Sequence, residues 1–280
     1  RSVALKHVSR NGDTETDLPF DSESAQSGHF TEIPTSAENR PPAVSAKKAL
    51  HDLPEITHHL DGDLTRGPRR FNTIQKYPNT ECLTPYAELM RNWPGHKNDE
   101  GIYDHREGIR NLPRDYDIFR QMQPGDQYPE ARAIAERLFE EKLKQRREHG
   151  ENIPEGSQEY DQLRSETVPP YDPSKFPNKW RKMEPDEPAR TLTAHIGKDT
   201  YSHIHYDDDQ ARTISVREAA RLQSFPDGFV FSGSMNPAFR QIGNAVPPLV
   251  AYHVARKLSS IIGQKTDPAF SDQLSFPGLP

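Results

Sequence analysis

Helical spacing of apolar residues is clearest near the end of this chain. Apolar side chains recur at helical intervals over residues 246–262, and the helix is predicted to stop at Gly263. A shorter helix is predicted to begin after Ser215, because Ser215 and Glu218 have the spacing of a capping box. Pro226 has no amide hydrogen and disfavours helix at the residue before it, which limits this helix to about two turns.

The predicted helix after Ser215 has two kinds of surface. Its apolar residues define one face, and its charged residues extend from the other. We expect Arg212, Glu218 and Arg221 mainly to organise the joint between two parts of the chain by fixing neighbouring loops, and not to do chemistry. The apolar set is Val216, Ala219, Ala220 and Leu222, and the charged set is Arg217, Glu218 and Arg221.

A tight turn is predicted between the last two helices. The pair Asn236-Pro237 suits the start of a short helix that runs through Ile242 and ends at Gly243. Gly243 and Asn244 would then form the turn. The free amides that open the next helix, with the Asn244 side chain, suit a carboxylate or another small polar group. The alternative is that Gly243-Asn244 is only a turn between helices.

Two helices and one strand are predicted upstream. A helix capped by Ser45 ends before Pro54, and a helix of about twenty residues opens at Pro129 and closes at Gly150. The run Thr191-Leu192-Thr193 follows turn-forming prolines and is rich in β-branched residues, which predicts an edge strand.

The composition is poor in core-forming residues. Only 32% of the 280 residues are hydrophobic, 28% are charged and 26 are proline, and the mean hydropathy is −0.94. Such a chain buries little apolar surface by itself, so much of it must be loop or must depend on a partner. Residues 1–42 are polar without a sustained period and are predicted to be a flexible or peripheral segment.

Cysteine use and charge exclude several classes of protein. Cys82 is the single cysteine, so there is no disulfide framework, and a cytoplasmic location fits best. No apolar stretch reaches the ~20 residues of a membrane span, and no signal peptide is recognisable. The net charge of −6 argues against a protein that coats nucleic acid. Three basic clusters could still meet phosphates or could be solvated faces: Arg66–Arg70, Lys142–Arg147 and Lys179–Lys182.

Two histidines raise the question of a metal site. His203 and His205 alternate as they would on one face of a strand, and Asp207 follows them. A metal-dependent hydrolase could use such a face. No third ligand stands at a diagnostic spacing, so structural or exposed histidines are the favoured interpretation and no metal is predicted.

The segment Arg212–Phe229, taken with Gln241–Pro248, resembles the last two sequence motifs of the DNA cytosine-5 methyltransferases. In that family an Asn and the small residue after it lie beside the methionine part of S-adenosyl-L-methionine. The resemblance therefore implies a cofactor-binding role for Asn244 and Ala245, with Gly243 allowing close approach of the backbone.

The same resemblance implies DNA contacts. In the family a Thr-Leu dipeptide precedes the ninth motif, and its Thr helps to hold the backbone around the extruded cytosine, which carries over to Thr191. Arg190, Thr193 and Arg212 are expected to contact DNA with it. The structural alternative for residues 191–193 is an ordinary edge strand with solvent-facing hydroxyls and no DNA contact.

A second stretch, residues 103–125, is similar to the His/Arg-containing segment of several recognition regions in this family. His105, Arg106 and Arg110 could reach phosphates or base edges, because arginine can bind guanine with two hydrogen bonds. Alternatively, these residues form surface salt bridges with Asp115 and Asp117.

The resemblance implies an α/β fold. The chain would be the C-terminal part of a Rossmann-like methyltransferase, with the closing helices of the catalytic domain and an irregular, loop-rich α+β target-recognition domain. The expected division is a peripheral segment at 1–42, target recognition at 43–190, the catalytic part at 191–263 and a tail at 264–280.

The family's catalytic motifs are missing from this sequence. There is no Pro-Cys loop, no Glu-Asn-Val motif and no glycine-rich cofactor loop, and Cys82 is rejected as the nucleophile, so no catalytic residue is predicted. We expect a C-terminal part or split subunit that recognises double-stranded DNA and completes the S-adenosyl-L-methionine pocket. Its partner would be the missing N-terminal half, in the same polypeptide or a separate subunit. The alternative is a non-catalytic DNA-binding protein derived from such an enzyme.

Overall fold

A computed structural model describes residues 43–62, 64, 74–78, 82–96, 101–102 and 105–261. The chain divides into two units, residues 1–41 and 42–280, and every described residue belongs to the second unit. The predictions for residues 1–42, for the tail at 264–280 and for the basic cluster Arg66–Arg70 lie outside the described residues.

The described residues form eight α-helices and two short 3₁₀ turns. Extended segments pair only as isolated bridges between Gln75 and Ile102, Gln127 and Arg181, Lys182 and Ile204, and Ile204 and Thr213. This part of the chain is therefore mainly helical, and it contains no sheet of the kind expected for an α/β domain. The helices are α1 Ala46–Leu50, α2 Pro85–Asn92, α3 Tyr116–Gln121, α4 Tyr128–Glu148, α5 Gln158–Thr167, α6 Val216–Leu222, α7 Met235–Asn244 and α8 Pro248–Ile261, and the 3₁₀ turns are Ala194–Gly197 and Tyr201–His203.

Local capping explains where the predicted helices begin. The Ser45 hydroxyl accepts the amide of Lys48 at the start of α1. In α6 the capping box is complete, because the Ser215 hydroxyl accepts the Glu218 amide at 3.1 Å and the Glu218 carboxylate accepts the Ser215 amide at 2.6 Å. The predictions of α1, α4 and α6 are confirmed to within a few residues.

Two large hydrophobic clusters form the interior. The first joins α1, α6, α7 and the segment around Leu192, and the second joins α3, α4, α5 and Trp180. The first cluster extends from Ala49 to Ile242 in sequence. It therefore contains residues from both sides of the boundary expected at residue 190.

The charged residues of α6 are buried. Arg212, Arg217 and Arg221 are each 0% exposed, and Glu218 is 2% exposed. A buried charge is tolerable only when it is paired and fully hydrogen-bonded. The sequence did not indicate this burial, because helical periodicity does not distinguish a solvated polar face from one that meets buried partners.

The first buried ion pair joins Arg212 to Glu218. Both nitrogens of the guanidinium fork donate to the carboxylate at 2.7 Å, and one also donates to Gln210 at 2.6 Å. Burial alone would raise the pKa of Glu218, but Arg212 and His205 outweigh it and hold that pKa well below its usual value. Glu218 therefore stays ionised in the interior.

The second ion pair joins α6 to distant segments. Arg221 donates to Asp52 at 2.8 Å and to Asp227 at 2.6 Å, while Arg91 of α2 also donates to Asp52 at 2.8 Å. Burial alone would raise the pKa of Asp52 and of Asp227, but Arg221 outweighs it and lowers both pKa values. This cluster fastens α1, α2 and the segment after α6 to one guanidinium.

His105 links a third segment to α6. Its Nε2–H donates to the Pro54 carbonyl at 2.6 Å, and its Nδ1 accepts from the Ser215 hydroxyl at 3.0 Å. The ring is 1% exposed, and burial lowers the pKa of His105 to about 4. The suggestion that His105 reaches DNA was therefore wrong, because both ring nitrogens are bonded inside the protein.

Within the described residues, no helix has both the length and the apolar character needed to cross a membrane.

We expect Glu218→Ala to destabilise the protein by about 3–5 kcal/mol, because it leaves Arg212 buried without its counter-charge. Urea denaturation followed by circular dichroism measures the effect. Glu141→Ala is the matched control, since Glu141 pairs with Arg137 where both side chains are more than half exposed, and it should cost about 0–1 kcal/mol. A Glu218→Ala variant as stable as this control would contradict the structural role.

Stability should fall as the pH is lowered from about 6.5 to 4, because His105 stays neutral in the folded protein and protonates in the unfolded chain. Its folded pKa is about 4 and its ordinary value is 6.5, so its contribution is complete above 6.5 and is lost on acidification, at ~1.4 kcal/mol per pH unit. His105→Gln removes this titrating group, so the free energy of unfolding should depend less steeply on pH, by the contribution of one proton. Urea denaturation at each pH measures this free energy. An unchanged slope in the variant would exclude His105 as the cause.

Candidate functional site

Residues Arg190–Gly197 form an extended segment that turns into a 3₁₀ helix, and we call this segment the strap. Arg190, Thr191 and Thr193 are exposed, whereas Leu192 is buried. The predicted edge strand is not formed, because residues 191–193 have no bridge partner among the described residues. All three strap residues that were expected to contact DNA are nevertheless exposed.

The strap is held at both ends by side chains from elsewhere. Its first carbonyl, that of Arg190, accepts Nε2–H of His203 at 3.1 Å. Near its other end, the carbonyl of Ile196 accepts a guanidinium N–H of Arg110 at 3.2 Å. The guanidinium of Arg110 also lies 5.8 Å from the ring of Phe239 in α7.

Helix α7 lies directly against the strap. The predicted helix started at Asn236-Pro237 and ended at Gly243, but α7 begins at Met235, after Ser234, and includes Gly243 and Asn244. Gly243 is thus in the last helical turn and not in a tight turn between helices. A Cβ at Gly243 would lie 2.3 Å from the carbonyl oxygen of Thr193, so the main chain of the strap occupies the place of a side chain.

Asn244 and Ala245 end α7 at the surface. Asn244 is exposed, and its side chain makes no hydrogen bond with any described residue, so its amide can offer both a donor and an acceptor. Ala245 is half-buried, and its carbonyl accepts the side-chain amide of Gln223 at 3.3 Å. Gln223 also bonds the Ile242 carbonyl at 3.3 Å, which fixes the end of α7 to the end of α6.

The end of α6 also fixes the start of α8. Ser224 has the left-handed backbone angle φ 62° after α6, and Phe225 donates its amide to Ala220 at 2.9 Å. These features define a Schellman motif with serine where glycine is usual. The Ser224 hydroxyl accepts the amide of Leu249 at 3.1 Å, which gives a reason for serine at this position.

The opening turn of α8 has fewer free amides than the sequence suggested. Pro247 and Pro248 have no N–H, and the amide of Leu249 is donated to Ser224. The helix start therefore offers fewer donors to a polar ligand than the sequence predicted.

The remaining predicted DNA contacts lie in different environments. Arg106 is exposed. Arg110 is half-buried against the strap, and burial lowers its pKa. Arg212 is fully buried in its pair with Glu218, so its guanidinium has no surface to present to a phosphate in this arrangement. Asp115 and Asp117 pair with Arg114 and Arg120, so the alternative salt bridges to residues 105–110 are absent among the described residues.

The basic cluster Lys179–Lys182 is neutralised inside the protein. Lys179 donates to Asp199 at 2.7 Å and Arg181 to Glu184 at 2.5 Å. Lys182 is 0% exposed and donates to the carbonyls of Phe119 and Met122 and to Asp208. The suggestion that this cluster contacts phosphate was therefore wrong for Lys182, because the Lys182 ammonium caps the end of α3. In Lys142–Arg147 on α4, the pairs are Lys144 with Glu148 and Arg146 with Glu151.

The two candidate metal-binding histidines have protein partners. His203 Nδ1 accepts from the Ser202 hydroxyl at 2.9 Å while Nε2 bonds Arg190. His205 Nδ1 accepts the Asp207 amide at 3.1 Å, and its Nε2 lies 3.4 Å from Glu218. The described residues contain no group of three or more His, Cys, Asp or Glu side chains that could hold a metal ion.

A pocket that the sequence did not predict opens beside the strap. Its volume is about 540 Å³, and it lies between Thr193 and His195 of the strap and the loop at residues 175–179. Phe176 on its rim is 51% exposed. The only sequence signal was the basic cluster at its edge, which does not indicate how the loop folds.

Comparison with known proteins shows the family to which this sequence belongs. The family model for C-5 cytosine-specific DNA methylase matches residues 37–260. A putative type II methyltransferase of Oceanobacillus iheyensis is 48% identical over 154 residues, which cover 55% of this chain and 32% of that protein. A type II methyltransferase of Thalassovita gelatinovora is 47% identical over 87 residues, covering 31% of this chain and 20% of that protein.

A DNA (cytosine-5-)-methyltransferase of Aeropyrum pernix is 43% identical over 83 residues, covering 30% of this chain and 17% of that protein. A solved structure described as a putative prophage-encoded DNA modification methyltransferase from E. coli has a TM-score of 0.44 at 18% identity, covering 80% of this chain and 48% of that chain, which does not define the fold. The matches with these curated relatives span about a third of their length or less. The family model covers most of this sequence, and the chain therefore belongs to the C-5 cytosine-specific DNA methylase family.

Proposed function

We propose that this chain is the C-terminal part, or a split subunit, of a DNA (cytosine-5-)-methyltransferase that uses S-adenosyl-L-methionine. Residues 43–190 would recognise the DNA target, and residues 191–263 would complete the catalytic domain. The observation that carries the proposal is the family match over residues 37–260 together with an uncovered apolar face on α8.

The exposed face of α8 supports the need for further protein. Leu249 and Tyr252 pack against Leu89, Met90 and Trp93 of the segment around α2. The opposite stripe is open to solvent, although helix α8 is otherwise an ordinary amphipathic helix whose apolar face should be covered. The exposed residues of α8 recur every four positions and are Val250 at 50%, Val254 at 54% and Leu258 at 55% exposure. Val246, in the segment just before α8, continues this spacing and is 65% exposed.

We propose that the N-terminal portion of a methyltransferase covers this face. It would also supply the thiolate and the carboxyl group that the reaction needs, because the only cysteine of this chain, Cys82, follows Glu81 and not a proline. Four exposed aliphatic side chains in one stripe are too apolar for a permanently solvated helix.

The cofactor site would include Asn244 and Ala245. S-adenosyl-L-methionine supplies the methyl group when it is bound. The exposed amide of Asn244 can bind a carboxylate or an ammonium group, and Gln223 holds the adjoining carbonyls in place. These residues therefore suit the amino-acid end of the cofactor.

DNA would meet the exposed side of the strap. Arg190 can contact a phosphate, and the hydroxyls of Thr191 and Thr193 can donate or accept hydrogen bonds at the DNA backbone. Arg106 is exposed and available to the same ligand, and Arg110 holds the strap from behind. In this proposal Arg212 acts through Glu218 to position the joint and does not touch DNA.

The isolated chain should lack methyltransferase activity and should gain it when it is combined with the N-terminal portion of the Oceanobacillus relative. The assay is transfer of labelled methyl groups from S-adenosyl-L-methionine to double-stranded DNA. Val254→Glu should prevent this complementation, since it places a charge on the open face of α8, while leaving the circular dichroism spectrum unchanged. His253→Glu, an exposed neighbour outside the stripe, is the control. Robust methyl transfer by the 280-residue chain alone would refute the proposal.

Asn244→Ala should raise the dissociation constant for S-adenosyl-L-methionine in the complemented enzyme by roughly 10- to 150-fold, because a hydrogen bond to a charged group contributes about 1.5–3 kcal/mol. DNA affinity should stay nearly unchanged. Isothermal titration calorimetry measures the first quantity and a fluorescence anisotropy titration the second. If cofactor affinity is unchanged in the folded variant, Asn244 only ends α7 and does not bind the cofactor.

A further inference from the structure

We infer that Gly243 positions the DNA-facing strap and is not itself a ligand of the cofactor. This inference rests on the proposed function, in which the strap meets DNA. It separates the roles of two neighbouring residues, because Asn244 faces solvent while Gly243 faces the strap.

The contact at Gly243 is made entirely with main-chain atoms. A Cβ built on Gly243 would lie 2.3 Å from the carbonyl oxygen of Thr193, 2.4 Å from its carbonyl carbon and 2.7 Å from the amide nitrogen of Ala194. Carbon atoms do not approach other atoms this closely, and a main chain cannot rotate away as a side chain can. Only glycine lets the strap lie at this depth on α7.

A second glycine makes the matching contact at the other end of the strap. A Cβ built on Gly197 would lie 2.4 Å from Cγ of Arg240 and 3.1 Å from the carbonyl oxygen of Asn236. Asn236, Arg240 and Gly243 stand three or four positions apart and so share one face of α7. The strap therefore lies along this face, with one glycine at each end of the contact.

The depth of the strap determines how its exposed side chains are presented. Leu192 and Ile196 are buried in the same cluster as Phe239 and Ile242 of α7. Thr191 and Thr193 flank Leu192 and point the other way, as alternation in an extended segment requires. Lifting the carbonyl of Thr193 would move both hydroxyls relative to the protein surface that bears them.

The experiment compares adjacent residues with two ligands. Fluorescence anisotropy of labelled double-stranded DNA is measured on the 280-residue chain, and S-adenosyl-L-methionine affinity is measured on the complemented enzyme. Gly243→Ala should weaken DNA binding by about tenfold or more and change cofactor affinity by less than about twofold. Asn244→Ala should show the reverse pattern. A uniform loss of stability would lower both affinities together and would not produce this crossed result.

A second pair of variants decides the matter if Gly243→Ala does not fold. Gly197→Ala presses on the flexible, exposed side chain of Arg240 and should weaken DNA binding by a smaller factor. Arg240→Ala removes the clashing Cγ. The loss of DNA affinity caused by Gly197→Ala should therefore be smaller in the Arg240→Ala background than in the unmodified chain. Absence of both effects would overturn the inference.

Failure of the inference differs from failure of the proposed function. If the unmodified chain binds no DNA, the proposed DNA role is wrong. If the unmodified chain binds DNA but Gly243→Ala lowers only cofactor affinity, or neither affinity, then Gly243 does not position the strap and the inference is wrong.

Discussion

The burial of three guanidinium groups around α6 is the constraint on which most of this structure depends. Arg212, Arg217 and Arg221 have no exposed surface, and removing a charge from water is costly unless the charge is paired and hydrogen-bonded. The acceptors come from Glu218, from the pair Asp52 and Asp227, and from main-chain carbonyls at 226 and 229. A short helix of seven residues therefore gathers segments that have no local reason to meet.

The end of the same helix, α6, also holds the helices of the candidate site in place. Gln223 at the end of α6 bonds the last carbonyls of α7, and Ser224 accepts the first available amide of α8. These bonds fix the junction at which Asn244 stands. The strap in turn rests on α7 through Gly243, so the surface proposed for DNA and the residue proposed for the cofactor share one helix.

The exposed stripe of α8 is an apolar surface that no other described segment covers. One side of the helix packs on Leu89, Met90 and Trp93, and the other has three aliphatic side chains at half exposure or more. The composition of the chain agrees with this observation, since a sequence with 32% hydrophobic residues cannot cover every apolar surface by itself. The proposed interface with further protein would account for both facts.

Sequence alone determined the features that depend on nearby residues. The capping box of Ser215 and Glu218, the cap of α1 and the long α4 form as predicted, because their partners are three or four positions apart. The segment Arg212–Phe229 and the string Gln241–Pro248 together indicated the family, although the second was predicted to contain a turn where the structure has the end of α7.

Only the tertiary structure decided which charges are buried and what the glycines are for. Arg221 meets Asp52 across 169 residues of sequence, and His105 meets Ser215 across 110. Likewise, Gly243 was predicted to be a turn residue, but in the structure the main chain of Thr193 occupies the place where its side chain would be. Helical periodicity and local propensity carry no information about such partners, because the free energy of these contacts arises only when distant segments exclude water together.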